Sequence, residues 1–157
     1  MIDQQSMTAW ALLVVLAALV AIASWTDVRE RRIPNWVSLA TLLAGLGAVG
    51  MQGGWAALGW AAAHFGVALV VGMILTAMGW VGAGDAKFYA ALAAWLPIQL
   101  GLWLLVSVAL AGLVLLVFFM LRRRGRIGRT SKDQSDFDKL PYGVAIGIGG
   151  LIAVALA

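Results

Sequence analysis

The sequence has no cysteine, one histidine, three prolines and few charges, with 11 basic and 7 acidic side chains in 157 residues. Each shortage removes a class of chemistry. Without cysteine there is no disulfide framework, no thiol nucleophile and no cysteine-ligated zinc. A single histidine, His64, gives a serine–histidine triad poor support. Charged residues make up 11% of the chain, against roughly a quarter in a soluble domain. A water-facing surface cannot be assembled from so few, which excludes a soluble enzyme and a disordered chain. A nucleic-acid-binding domain is excluded too, although the pI is about 10.1. Basic charge on so apolar a chain points to membrane topology first.

What remains is hydrocarbon. The chain is 63% hydrophobic, with a mean hydropathy of +0.97. Uncharged runs occupy residues 8–25, 36–51, 55–80, 88–121 and 141–157. A helix needs about 20 apolar residues to cross a bilayer. The stretch 86–121 can be read as one tilted helix or two short spans, and Pro97, Gln99 and Gly101 supply a break. Charge decides between them. With six spans, all 11 basic residues fall on one side, which the positive-inside rule makes the cytoplasm. With five, the arginines after residue 121 part company with Arg29, Arg31 and Arg32. The expected fold is therefore all-α, a polytopic membrane helical bundle of six transmembrane helices. Residues 1–157 form one domain with both termini outside. Trp25, Trp36 and Trp80 are expected at inner boundaries, and Trp10, Trp55 and Trp95 near outer ones. No basic residue precedes the first run, and Asp3 stands there instead, so the run reads as a retained span and not a secretory signal.

Most of the acids have simple explanations. Asp3 lies in the N-terminal tail, Asp133, Asp136 and Asp138 lie in a polar loop, and Glu30 sits among arginines. Asp27 and Asp85 are different. The six-span reading puts both at the cytoplasmic boundary, although they are remote in the chain. Ion pairing with Arg31 and Lys87, or helix capping by Asp85, would explain each singly. The glycines of Gly82-Ala83-Gly84-Asp85 go beyond the needs of a cap, because glycine lets backbone approach a ligand closely. Two aspartates within a few ångströms share a proton and titrate as a unit. The ionised member can take a proton from water attacking a peptide carbonyl, and the protonated one can serve the carbonyl and the leaving amine. No metal, thiol or histidine is needed.

Three segments carry a resemblance. Asp27-x-Arg29-x-Arg31-Arg32-Ile33-Pro34-Asn35, Gly82-x-Gly84-Asp85-x-Lys87 and Pro141-Tyr142-Gly143-x-Ala145-Ile146 together resemble the type IV prepilin peptidases. These are membrane aspartic proteases of the GxGD kind. The small size is similar to the compact members that serve Flp-type pili of tight-adherence secretion systems. The resemblance implies Asp27 and Asp85 as the catalytic pair. It implies prepilin or pseudopilin substrates with a short basic leader, cut at the cytoplasmic face of a bacterial inner membrane. The larger bifunctional members have a zinc-binding cysteine segment that this chain lacks. Peptidase activity without N-methylation is therefore expected, with no cofactor, no metal and no nucleic acid.

Secondary candidates for the active-site loops or substrate contact are Gly82, Gly84, Lys87, Pro34, Asn35, Pro141, Tyr142 and Gly143. Lys87 either supports the dyad or anchors topology by snorkelling. Arg29, Arg31 and Arg32 hold their loop inside. Pro34 suits a first helical turn, and Asn35 is expected to bond loop backbone. Tyr142 is expected at the interface. His64 is expected to make an intramembrane polar contact away from the aspartates. Gly45, Gly47, Gly66 and Gly72 are expected to allow close helix packing, and the arginines 122–129 to set topology and meet anionic lipid. Other readings are a presenilin-type protease, an ion- or proton-coupled transporter or channel subunit using the same aspartates, and a non-catalytic scaffold. A transporter would favour acids near the bilayer midplane.

Overall fold

A computed structural model describes residues 4–124 and 141–157. The described residues are mostly helical, with no strand among them: α1 (Gln4–Glu30), α2 (Asn35–Ala77), α3 (Ala83–Ala93), a 3₁₀ turn (Ile98–Leu100), α4 (Gly101–Arg124) and α5 (Tyr142–Ala155). Three helical stretches are long and apolar enough to cross a membrane, at Met7–Glu30, Asn35–Ala77 and Ile98–Leu121. The expected break at Pro97 is present, since that residue caps the 3₁₀ turn. Expectations for the loop 125–140, including Arg126, Arg129 and its aspartates, lie outside the described residues.

The two runs expected as separate spans, 36–51 and 55–80, are the two helical arms of α2, which reverse direction at Gly54. Gly54 interrupts α2 at φ 66°, ψ −162°, a backbone region open essentially to glycine alone. Contacts with α3 fix the direction of the two arms. Lys87 reaches Asn35 and the Trp95 indole reaches Thr41, so the first arm runs parallel to α3. Gly72 faces Ala86 and His64 faces Leu96, so the second arm runs antiparallel. Both ends of α2 therefore lie near the start of α3, and Gly54 lies beyond its other end.

The remaining helices follow the same alternation. Gly143 meets Asp27 and Gly147 meets Val20, making α1 and α5 antiparallel. Gly147 also meets Phe88 and Gly150 meets Leu92, making α5 parallel to α3. Trp103 donates to the Ala153 carbonyl and Gly112 faces Ala145, making α4 antiparallel to α5. Six helical segments thus alternate in direction. The C-terminal end of α1, with Arg29, Arg31 and Arg32, shares one end of the bundle with Lys87 and the C-terminal end of α4.

α3 is the centre. Phe88 and Leu92 are wholly buried, as are Ala90, Ala93 and Ala94. Beyond Lys87 the sequence is almost entirely apolar, and a segment apolar all round belongs inside. The fourth expected span, the first of the two short ones, is not long enough to cross by itself. α3 has 11 residues, about 16 Å of rise, roughly half the hydrocarbon thickness. Its far end turns within the bundle. Gly45 and His64, level with that turn, stand nine and ten residues from Gly54, so the turn is recessed by about 13–15 Å from the tip of the α2 hairpin.

Non-helical backbone at membrane depth must be satisfied inside the protein. Two side chains meet that requirement. His64 Nδ1 lies 3.0 Å from the Leu96 carbonyl, a polar contact away from the aspartates. Trp95 Nε1 donates to the Thr41 carbonyl at 3.0 Å. Trp95 is 7% exposed, so its expected place at an outer interface is wrong. Its indole N–H has a protein partner and needs no headgroup. Among the four glycines expected at helix contacts, two serve. A Cβ on Gly45 would stand 2.6 Å from the Trp95 ring, and one on Gly72 would stand 3.0 Å from Ala86 Cβ. Gly47 and Gly66 face open space.

Candidate active site

Two loops meet at the basic end of the bundle. The first begins where α1 stops. Arg31 adopts φ 54°, and its N–H bonds the Asp27 carbonyl at 3.0 Å, a left-handed helix ending. Pro34 then stands at the N-cap of α2 with extended backbone, one position before the first-turn place expected of it. The second loop is Gly82-Ala83-Gly84-Asp85, in which Gly82 is the N-cap of α3 without a side-chain cap bond. Capping by Asp85 is thereby excluded, although its first-turn position suits the positive end of the helix.

The loops line one cavity of about 550 Å³. Asp27 and Asp85 both line it, with Pro34, Asn35, Gly82, Gly84 and Lys87 from the sequence candidates. Glu30, Arg31, Arg32, Ile33 and Ala83 complete the wall. Arg29 lies outside it, with its guanidinium 4.4 Å from the centre of the Trp25 ring.

Asp27 is 7% exposed. Its Oδ2 accepts the Gly143 N–H at 2.8 Å. Gly143 is the second residue of α5, where the amide has no partner within its own helix. A first-turn N–H is therefore free to bind a carboxylate, and the helix dipole favours the charge. The approach requires glycine, because a Cβ there would lie 2.8 Å from Asp27 Oδ2 and 2.9 Å from Ile33 Cδ1. Arg31 adds its positive charge to the surroundings of Asp27.

Asp85 lies outside the three helices long enough to cross. Its pKa is raised from 3.8 to about 6, chiefly by burial and secondly by the negative charge of Asp27. The negative charge of Asp27 thus helps to hold the proton on Asp85. A pKa near 6 leaves Asp85 able to hold or release a proton close to neutrality. The carboxyl curls back over Gly82, where a Cβ would stand 2.9 Å from Oδ2. Gly84 passes the Ile33 backbone, its would-be Cβ 3.6 Å from that residue's N and O.

Lys87 does not pair with Asp85 in a direct bond. Its Nζ donates to Asn35 Oδ1 at 3.2 Å, tying the start of α3 to the start of α2. The Asn35 side chain thus bonds a lysine and not the loop backbone expected for it. Pro141 and Tyr142 do not line the aspartate cavity. Tyr142 is 55% exposed and faces a separate apolar recess with Gly112 and Leu116 on α4. Ile33 was not singled out by residue chemistry. It is 7% exposed and touches both Gly84 and Gly143, and so packs the two loops and α5 together. Its position inside the Arg-Ile-Pro-Asn segment was its only signal. Among the described residues, no cluster of three or more histidine, cysteine or acidic side chains is arranged to hold a metal ion.

Comparison with known proteins gives one match. The model of the type IV leader peptidase family matches residues 14–120, a stretch that contains both aspartates. No curated protein and no solved structure matches.

Proposed function

The chain belongs to the type IV leader peptidase family, and on that premise we propose that it removes the short basic leader from prepilin-like substrates at the cytoplasmic face of a bacterial inner membrane. The observation that carries this reading is the meeting of Asp27 and Asp85 in one cavity at the end of the bundle that holds Arg29, Arg31, Arg32 and Lys87. The six alternating segments are read as the expected spans, with the short α3 entering only part of the bilayer and that end of the bundle in the cytoplasm. Asp27 and Asp85 are the catalytic pair. They share one proton, and water held between them is the nucleophile. The ionised carboxylate takes a proton from water as its oxygen attacks the scissile carbonyl. The protonated carboxyl polarises that carbonyl and then protonates the departing amine, and the C–N bond breaks. Every proton moves between water, the pair and the leaving group, so no cofactor enters. The lack of cysteine supports peptidase activity without methyl transfer.

The test is co-expression of the chain with a candidate prepilin, comparing wild type with Asp27→Asn and Asp85→Asn by gel shift. Each substitution should abolish processing while membrane insertion stays normal. Processing retained in either variant would remove that residue from the catalytic role. Aspartate-dependent ion flux without cleavage would favour a transporter instead.

A further inference from the structure

A second cavity of about 550 Å³ lies at the end of the bundle opposite the aspartates, and we propose that it holds one acyl chain of a membrane phospholipid. It exists because α3 is short. The recessed turn Trp95-Leu96-Pro97 forms its floor, and the walls come from the N-terminal half of α1, the tip of the α2 hairpin and the end of α5. The indole N–H of Trp95 is directed to the Thr41 carbonyl and His64 takes the Leu96 carbonyl. These two polar groups of the floor are thus turned into the protein, and the surface facing the cavity is mostly apolar.

Three observations select the occupant. Among the described lining residues, Gln52 at the hairpin tip is the one polar side chain besides the Trp95 indole, whose N–H is already bonded, so the polar and apolar ends of the space match those of a lipid. Trp55 at the same tip is 88% exposed and Trp10 on α1 is 67% exposed, as expected of residues at headgroup level. The mouth is therefore at the interface and the floor is about 13–15 Å deeper. With ~30 Å³ allotted to a small group, the share of one water in the liquid, the volume accepts on the order of 15–20 methylene-sized groups.

The site is independent of the catalytic reading. The full chain is placed in nanodiscs of bacterial-type phospholipid containing a phospholipid with a diazirine near its acyl terminus. Photolabelled peptides are read by mass spectrometry. The floor peptide around Trp95–Leu100 should be labelled. Ala57→Phe, which fills the wall, should cut that labelling by about tenfold, because loss of contact with two methylene groups suffices for such a factor. Labelling of Leu113 and Val114 on the exposed face of α4 should not change. Ala9→Trp, from the opposite wall, should reproduce the loss and guards against misfolding of the first variant. An unlabelled floor, or floor labelling equal in wild type and both variants, would overturn the proposal. So would stronger floor labelling by a water-soluble diazirine, or by a free diazirine fatty acid in preference to the phospholipid.

Discussion

Asp85→Asn should remove activity and at the same time stabilise the protein at neutral pH. The carboxyl of Asp85 is raised from 3.8 to about 6, by burial first and by Asp27 second. Between those two values the folded state binds more protons than the unfolded one, so stability falls as pH rises through that window. Above about pH 6 the loss is complete, and below about 3.8 it is absent. A difference of about two units, at 1.36 kcal/mol each, sets a ceiling near 3 kcal/mol. Asp85 is only half-buried, and solvent screening brings the figure to about 1–2 kcal/mol. Asparagine keeps the shape and removes the charge. The assay is the apparent Tm of the full chain in detergent at pH 7.5 and pH 3.5. At the higher pH the variant should melt above wild type by about 2–8 °C, taking 2–4 °C per kcal/mol for a chain of this size. At the lower pH the difference should vanish. A variant less stable than wild type at pH 7.5, or a gain of equal size at both values, would refute the reasoning. Asp27→Asn supplies a check, since it deletes the repulsive charge and should shrink the gain from Asp85→Asn when the two are combined.

Gly143→Ala should lower the cleavage rate by about 10–100-fold, the equivalent of one hydrogen bond to a charged group. The new methyl would stand 2.8 Å from Asp27 Oδ2, and a kinetic comparison with normally inserted protein checks this. The two glycines before Asp85 should behave differently. Gly82→Ala drives a Cβ to 2.9 Å from the Asp85 carboxyl and should cost about tenfold or more in rate, as a misplaced catalytic group does. Gly84→Ala meets Ile33 at 3.6 Å, an ordinary contact, and should stay within a few-fold of wild type. Equal losses at both positions would show that displacement of the carboxyl is not the cause. Lys87→Met and Asn35→Ala should be non-additive in a thermal-stability cycle, with a coupling of about 0.5–1 kcal/mol, because they share the 3.2 Å bond. Simple additivity would remove the bond from solution.

Patterns local in the chain were legible before the structure. Scarcity of charge implied a helical membrane bundle, and the clustering of basic residues implied that Asp27 and Asp85 sit at one end. Pro97 marked a break that is there, and Gln52-Gly53-Gly54 marked the gap between two apolar runs. Partnerships across the chain were not legible. Gly143 and Asp27 are 116 positions apart, and nothing in a Pro-Tyr-Gly segment says which of its residues turns toward a carboxylate. Trp95 shows why interface rules fail individually. An indole seeks a headgroup only when no carbonyl is nearer, and Thr41 supplies one from 54 positions away.

The end of α3 was hidden for a related reason. Hydropathy measures what surrounds a residue and not where the chain turns, so Pro97, Gln99 and Gly101 marked the break while the end of the helix at Ala93 gave no signal of its own. That turn has a consequence for the site. A helix of about 16 Å inside a thicker layer could slide along its axis, and sliding would change the depth of Asp85. It is held at both ends instead. His64 and Thr41, one on each arm of α2, engage its C-terminal turn. Asn35 and the Ile33 backbone engage its first turn through Lys87 and Gly84. Asp27 is fixed separately by α5 through Gly143. The relative height of the two carboxyls therefore depends on contacts spread over four helices and on no single motif, which is how a bundle with so few polar side chains keeps two acids in register.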